Sequence, residues 1–133
     1  MFRLHVDLTR QGWIACDFYD GSLIYDFSNS ELHVVDLDHY RKGPFVNTMG
    51  RMFGSTRFMA PEQHELGAQI DERATVFAMG RTIEQLLASR EPQIAEVVRH
   101  ACESRPERRF ETVDKFYEAW SDAALMARSA TAG

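Results

Sequence analysis

Five aspartates lie close together in the first third of the chain, in a stretch that is otherwise rich in apolar residues: Asp17, Asp20, Asp26, Asp36 and Asp38. If strand pairing brings Asp17 and Asp36 together at strand ends, one carboxylate can orient an attacking hydroxyl while the other holds Mg²⁺ against phosphate oxygens. Acidic residues in turns are more often solvated caps, so this chemistry depends on the elements that carry the carboxylates.

The apolar pattern around these aspartates predicts three short strands. Residues 13–16 form an apolar run that is typical of a buried strand. Residues 22–27 and 32–35 are predicted to be two strands joined by a Ser-Asn-Ser turn. Asp17 would then directly follow the first strand and Asp36 the last.

The rest of the chain is predicted to be loop and then helix. Residues 38–57 show no regular spacing of apolar residues and contain several glycines and a proline, which predicts a loop. Residues 1–10 fit the end of an amphipathic helix. The predicted helices are a short one opening at Pro61-Glu62, one at 74–88 buried on more than one side, one bearing the stripe Ile94, Val97, Val98, Ala101 and Cys102, and a last one capped by Thr112. The expected architecture is an α-rich α+β domain at 1–128 with a fraying tail at 129–133.

Composition and charge exclude several classes of protein. The 133 residues are 44% hydrophobic and 26% charged, which is ordinary for a compact globular domain. The net charge of −5, with scattered basic residues, argues against nucleic acid as a partner. No signal peptide or membrane-length apolar run is present, so we expect a cytoplasmic protein with no membrane partner. Cys16 and Cys102 lie far apart among apolar residues and are expected to be buried free thiols.

The stretch 13–62 resembles, in order and spacing, the catalytic core of the protein kinase superfamily. A strand ends on Asp36-Leu37-Asp38, in the place of Asp-Phe-Gly, and a long segment then ends on Ala60-Pro61-Glu62. The family's catalytic aspartate follows a short strand and its metal-binding asparagine comes five residues later; these positions match Asp17 and Ser22. The resemblance implies that Asp17 is catalytic and that Asp36 and Ser22 bind ATP and Mg²⁺, although this lobe alone need not bind them.

Later motifs extend the resemblance. Ser55 matches the family's threonine that faces the catalytic aspartate and the substrate hydroxyl. Pro106-Glu107-Arg108-Arg109 resembles the proline-x-x-arginine turn, and the family's buried ion pair at this point implies that Glu62 pairs with Arg109. The helix from residue 74 matches the family's central helix, with Thr75 in place of its aspartate, a change expected to weaken the anchoring of the catalytic loop.

Several positions depart from the family pattern. Ala15 and Cys16 replace histidine and arginine before the aspartate, Ser22 replaces the asparagine, and Asp38 replaces the glycine. No glycine-rich loop, strand lysine or helix glutamate can be placed before Trp13. The resemblance therefore implies a C-terminal lobe whose N-terminal lobe or upstream sequence is missing, with short β-hairpins at the catalytic loop, and this lobe is expected to be inactive or weak by itself.

Three functions follow from these observations. The first is the catalytic lobe of a Ser/Thr protein kinase that, in the intact parent, transfers the γ-phosphoryl group of ATP to a protein hydroxyl. The second is a pseudokinase or interaction module that binds a protein partner, which the replaced residues favour. The third is a small-molecule phosphotransferase of the aminoglycoside kinase type, against which the Ala-Pro-Glu segment argues.

Overall fold

The computed structural model describes residues 1–87 and 91–132, which fold as α+β with about half of the chain in helices. This confirms the predicted class. The α-helices are α1 (Phe2–Arg10), α2 (Glu72–Leu86), α3 (Pro92–Ala101) and α4 (Val113–Ala132).

The described strands form three separate two-stranded antiparallel sheets. They are β1 (Trp13–Ala15) with β4 (Tyr40–Lys42), β2 (Leu23–Asp26) with β3 (Glu31–Val34), and β5 (Phe45–Val46) with β6 (Gln69–Ile70). The strand at 13–16 and the hairpin over 22–35 are confirmed within one residue. The loop prediction for 38–57 is wrong at β4 and β5. Both strands are two or three residues long and pair with distant partners, so no local period marks them.

Helix α2 is the centre of the fold. Asp71 caps its first turn by accepting the Arg73 N–H at 2.9 Å, which is why the helix begins two residues before the predicted 74–88. Ala74, Val76 and Met79 are fully buried, and α2 packs on β1, α3 and α4. Burial on several sides explains its mixed apolar pattern. Ala88, the last residue of the predicted helix, lies outside the described residues.

The other predicted helices are present, and α4 is longer than expected. The apolar stripe from Ile94 lies on α3, and Thr112 caps α4 by accepting the Lys115 N–H at 3.1 Å. The structure continues α4 to Ala132, past the predicted boundary at residue 128, and the fraying expected from residue 129 stays a prediction. Alanines favour helix there, and Ala127 is still buried.

Both cysteines are free, as predicted; Cys16 is buried, and Cys102 is only partly buried. Burial raises the pKa of Cys16 to about 11 and that of Cys102 to about 12, so both remain thiols near neutral pH. Across residues 1–87 and 91–132, no helix has the length and apolarity needed to cross a bilayer.

Candidate functional site

Asp17 lies two residues after the end of β1 and is half-buried. Its Oδ1 accepts a hydrogen bond from the Ser55 N–H at 3.1 Å, so the aspartate and the serine singled out from the sequence lie together. Gly54 has a φ of +151°, and a Cβ atom there would lie 3.0 Å from Met59 Sδ and 3.3 Å from Asp17 Oδ1. Only glycine lets the backbone approach the carboxylate this closely.

Two buried side chains hold the backbone that leads into Asp17. The Ala15 N–H donates to Thr75 Oγ1 at 3.0 Å, so the central helix still provides an acceptor where an aspartate was expected. Gln63 Nε2 donates to the Cys16 carbonyl at 2.9 Å. Thr75 and Gln63 are both almost completely buried, and buried polar groups of this kind are strong constraints on local geometry.

Asp36 follows β3 with its side chain exposed and its backbone at a φ of +62°. A non-glycine residue in the left-handed region costs roughly 1–2 kcal/mol, and such residues concentrate at functional sites. Within the described chain, no hydrogen bond or ion pair engages its carboxylate. A free, exposed carboxylate in a fixed backbone conformation fits the role of a Mg²⁺ ligand.

Ser22 fits that role less well. Its residue is only 1% exposed, and its hydroxyl lies 3.5 Å from the Tyr19 N–H inside the loop. Its carbonyl accepts the Val35 N–H at 2.8 Å, which ties Ser22 to the residue before Asp36 through the backbone. Ser22 therefore positions the Asp36 turn, whereas its hydroxyl is turned away from solvent.

The predicted pairing of strands between Asp17 and Asp36 does not occur. Asp17 follows β1 and Asp36 follows β3, and these strands belong to different sheets. Among the described residues, the one group of three side chains with metal-ligand spacing is Asp26, Glu31 and His33, on the β2–β3 hairpin. Asp17 and Asp36 thus form no compact carboxylate cluster with a third ligand.

Glu62 and Arg109 form a buried, bidentate ion pair. Arg109 Nη1 lies 2.7 Å from Glu62 Oε2, Nη2 lies 2.8 Å from Oε1, and both residues are at most 6% exposed. The guanidinium also donates to the carbonyls of Arg73, Glu103 and Ser104, so its N–H groups are well satisfied. The pair joins the end of the 36–62 segment to the connection between α3 and α4.

Two buried amides in this region were not identified from the sequence. Asn47 Nδ2 donates to the carbonyls of Gly50 at 2.6 Å and Glu65 at 3.0 Å, and its Oδ1 accepts the Met49 N–H at 3.0 Å. The last bond is an Asx turn, a local signal that could have marked this asparagine. Gln63 Oε1 accepts the Ala60 N–H three residues back, as a glutamine at the third helical position does in a capping box, whereas its bond to Cys16, 47 residues away, leaves no local signal.

Comparison with known proteins gives a fold and no closer relationship. No protein-family model matches the sequence, and no curated protein matches it. The solved structure of the kinase PK-1 of the Cydia pomonella granulovirus is similar, with a TM-score of 0.70 and 18% sequence identity, over 86% of this chain and 52% of that one. The chain therefore has a kinase-like fold and spans about half the length of that kinase.

Proposed function

We propose that this chain is the larger, C-terminal lobe of a Ser/Thr protein kinase-like phosphotransferase. The observation that carries the proposal is the contact between the Asp17 carboxylate and the Ser55 N–H at 3.1 Å. It brings the end of the 36–62 segment onto the loop after β1, where a hydroxyl acceptor would have to lie. Asp17 would orient that hydroxyl, and Asp36 would hold Mg²⁺.

The chain's own residues would contribute mainly by positioning. Asp17 Oδ1 already accepts the Ser55 N–H, and no donor among the described residues contacts Oδ2. That oxygen is left to accept the proton of an incoming hydroxyl. Bound Mg·ATP would supply the phosphoryl group and the positive charge that stabilises its transfer. The exposed Asp36 carboxylate would hold that metal.

A second lobe is part of the proposal. The cavity beside Cys16 and Asp38 measures about 180 Å³, below the roughly 300–1,000 Å³ typical of ligand pockets. The neighbouring β2–β3 hairpin and the turn after it expose large apolar side chains, which an upstream lobe would cover: Tyr25, Phe27, Leu32, Val35 and Leu37. We infer that the nucleotide site is completed by sequence upstream of the strands described above.

A pseudokinase or protein-interaction module is the second candidate. The burial of the Ser22 hydroxyl favours it, because a kinase-like site would then keep only one of its two metal ligands. Ala15 and Cys16 remove two further family residues from the loop. Such a module would use the same fold for partner binding, without phosphoryl transfer.

Nucleotide binding separates these candidates. Thermal unfolding is measured with and without Mg·ATP on the chain together with any coding sequence upstream of Met1, for wild type, Asp36→Ala and the neighbouring control Asp38→Ala. Ligand at 100 times its Kd should stabilise the protein by about 2.7 kcal/mol. We expect a Mg²⁺-dependent rise in Tm for wild type and Asp38→Ala, and none for Asp36→Ala. No rise in wild type, or an equal rise in Asp36→Ala, would rule out the proposed role of Asp36.

A further inference from the structure

Gln63 is a buried glutamine that bridges two backbone groups from distant parts of the chain. Its Nε2 donates to the Cys16 carbonyl at 2.9 Å, and its Oε1 accepts the Ala60 N–H at 3.0 Å. The side chain is 1% exposed. Because a carbonyl needs a donor and an N–H needs an acceptor, only this orientation of the amide satisfies both partners.

One of these partners is the peptide group that leads into Asp17. The Cys16 carbonyl belongs to the Cys16–Asp17 peptide, so the hydrogen bond from Gln63 fixes the plane from which Asp17 extends. Two peptides earlier, on the Ile14–Ala15 peptide, the Ala15 N–H donates to Thr75 Oγ1. The backbone before Asp17 is thus held by Thr75 of α2 and by Gln63, which directly follows the 36–62 segment.

The other partner, the Ala60 N–H, belongs to the loop segment that contacts the Asp17 side chain. Ala60 lies five residues after Ser55, and between them the Phe58 N–H donates to the Ser55 carbonyl at 2.9 Å. The Ser55 N–H in turn donates to Asp17 Oδ1. Gln63 therefore closes a loop, made of hydrogen bonds and of the covalent backbone between Ser55 and Gln63, that starts at the Asp17 side chain and returns to the Asp17 backbone.

We propose that Gln63 is a positioning residue for Asp17, a role that rests on the function proposed above for that carboxylate. Its amide sets the distance between the loop after β1 and the 54–60 backbone. The coupling through Gln63 thus consists of two uncharged hydrogen bonds within the fold.

Hydrogen exchange of the full chain, followed by NMR, tests this role. In wild type, the Gln63 Nε2 protons should exchange far more slowly than those of the exposed Gln85. Gln63→Glu keeps the shape and the acceptor for Ala60 but places a carboxylate oxygen against the Cys16 carbonyl. We expect the Ser55 amide to exchange about tenfold faster in this variant while the amides of α2 keep their rates. Gln85→Glu is the matched control and should change neither. If Gln63→Glu does not fold, Gln63→Met removes both hydrogen bonds at similar volume.

Three outcomes would overturn the role. The first is that the Gln63 side-chain protons exchange as fast as those of Gln85. The second is that the exchange rate of the Ser55 amide is the same in the variant as in wild type. The third is that the amides of α2 lose as much protection as Ser55, which would indicate a role in general packing only. Phosphoryl transfer is the second readout: kcat should fall about tenfold in Gln63→Glu with an unchanged KM for Mg·ATP. Absence of transfer in wild type would refute the proposed function, and the exchange of Ser55 would still decide the role of Gln63.

Discussion

At the scale of single residues, the carboxylates of this protein are placed by different means according to their burial. Asp17 is half-buried and receives a backbone N–H from Ser55. Glu62 is buried and faces the guanidinium of Arg109, which compensates its charge fully. Asp36 is exposed and remains without a partner in the described chain. The buried carboxylate therefore has a structural role, and the two more accessible ones are available for chemistry.

Arg109 should be among the residues most important for stability. Replacing it with alanine leaves the Glu62 carboxylate buried without its partner, which costs about 3–5 kcal/mol. The matched control is Arg10→Ala, which breaks the exposed pair with Asp114 and should cost at most about 1 kcal/mol. Urea unfolding of both variants measures the difference. Equal free energies of unfolding would show that the buried pair has no special role in stability.

The residues named from the sequence were those that belong to spaced motifs. Asp17 contacts Ser55 in the structure, and Glu62 contacts Arg109. These contacts could be predicted because residues that belong to the motifs of a fold occupy the same relative positions in that fold. The bond from Gln63 to Cys16 could not be found in this way, since its acceptor is a backbone carbonyl, which any residue type can provide. The buried orientation of the Ser22 hydroxyl also depends on tertiary packing, which spacing alone does not report.

At the scale of elements, a buried polar contact connects α1 to β4. His5 Nδ1 lies 2.9 Å from the Met1 carbonyl, so this nitrogen carries the proton and Nε2 accepts the Tyr40 hydroxyl at 2.7 Å. The ring of Phe18 packs edge-on against His5, with centroids 4.5 Å apart. Burial lowers the pKa of His5 to about 4, so the imidazole is neutral in the folded protein.

This contact predicts a loss of stability in acid. The unfolded chain binds a proton at His5 below about pH 6.5, whereas the folded chain does so only near pH 4. The free energy of unfolding should therefore fall as the pH drops from 6.5 to 4, by about 3 kcal/mol from this residue. Denaturation of His5→Gln across this range should show a flatter profile than wild type. Identical profiles for His5→Gln and wild type would contradict the prediction.

Helices and strands with a regular spacing of apolar residues could be predicted from the sequence. Strands that are defined by pairing with a distant partner could not. Helices α1 to α4 and the β2–β3 hairpin follow from apolar spacing and turn residues. Strands β4 and β5 form because β1 and β6 provide their hydrogen-bond partners. These partners are distant in sequence: Ala15 pairs with Tyr40 and Phe45 pairs with Ile70, each 25 residues apart. The same segment is held by the buried Asn47, whose Asx turn with Met49 is a local signal, whereas the strand pairings leave no local pattern.

At the scale of the whole molecule, the fold is kinase-like and about half as long as the viral kinase it resembles. The exposed apolar side chains of the β2–β3 hairpin lie next to Asp36 along the chain. We expect an upstream lobe to cover them when the proposed nucleotide site is complete. The boundary at residue 128 stays a prediction, since α4 runs past it without a break.

Phosphoryl transfer is the most direct test of the proposed function. The chain, expressed with any upstream coding sequence, is incubated with Mg²⁺ and ATP labelled on its γ-phosphoryl group. Peptides and small molecules that carry hydroxyl groups are supplied as acceptors, and transfer of the label to them is measured. Wild type is compared with Asp17→Asn and with the control Asp20→Asn in the same loop. We predict transfer to serine or threonine peptides, lowered about 100-fold or more in Asp17→Asn and unchanged in Asp20→Asn. No transfer by wild type, or an equal rate in Asp17→Asn, would contradict a phosphotransferase built on Asp17.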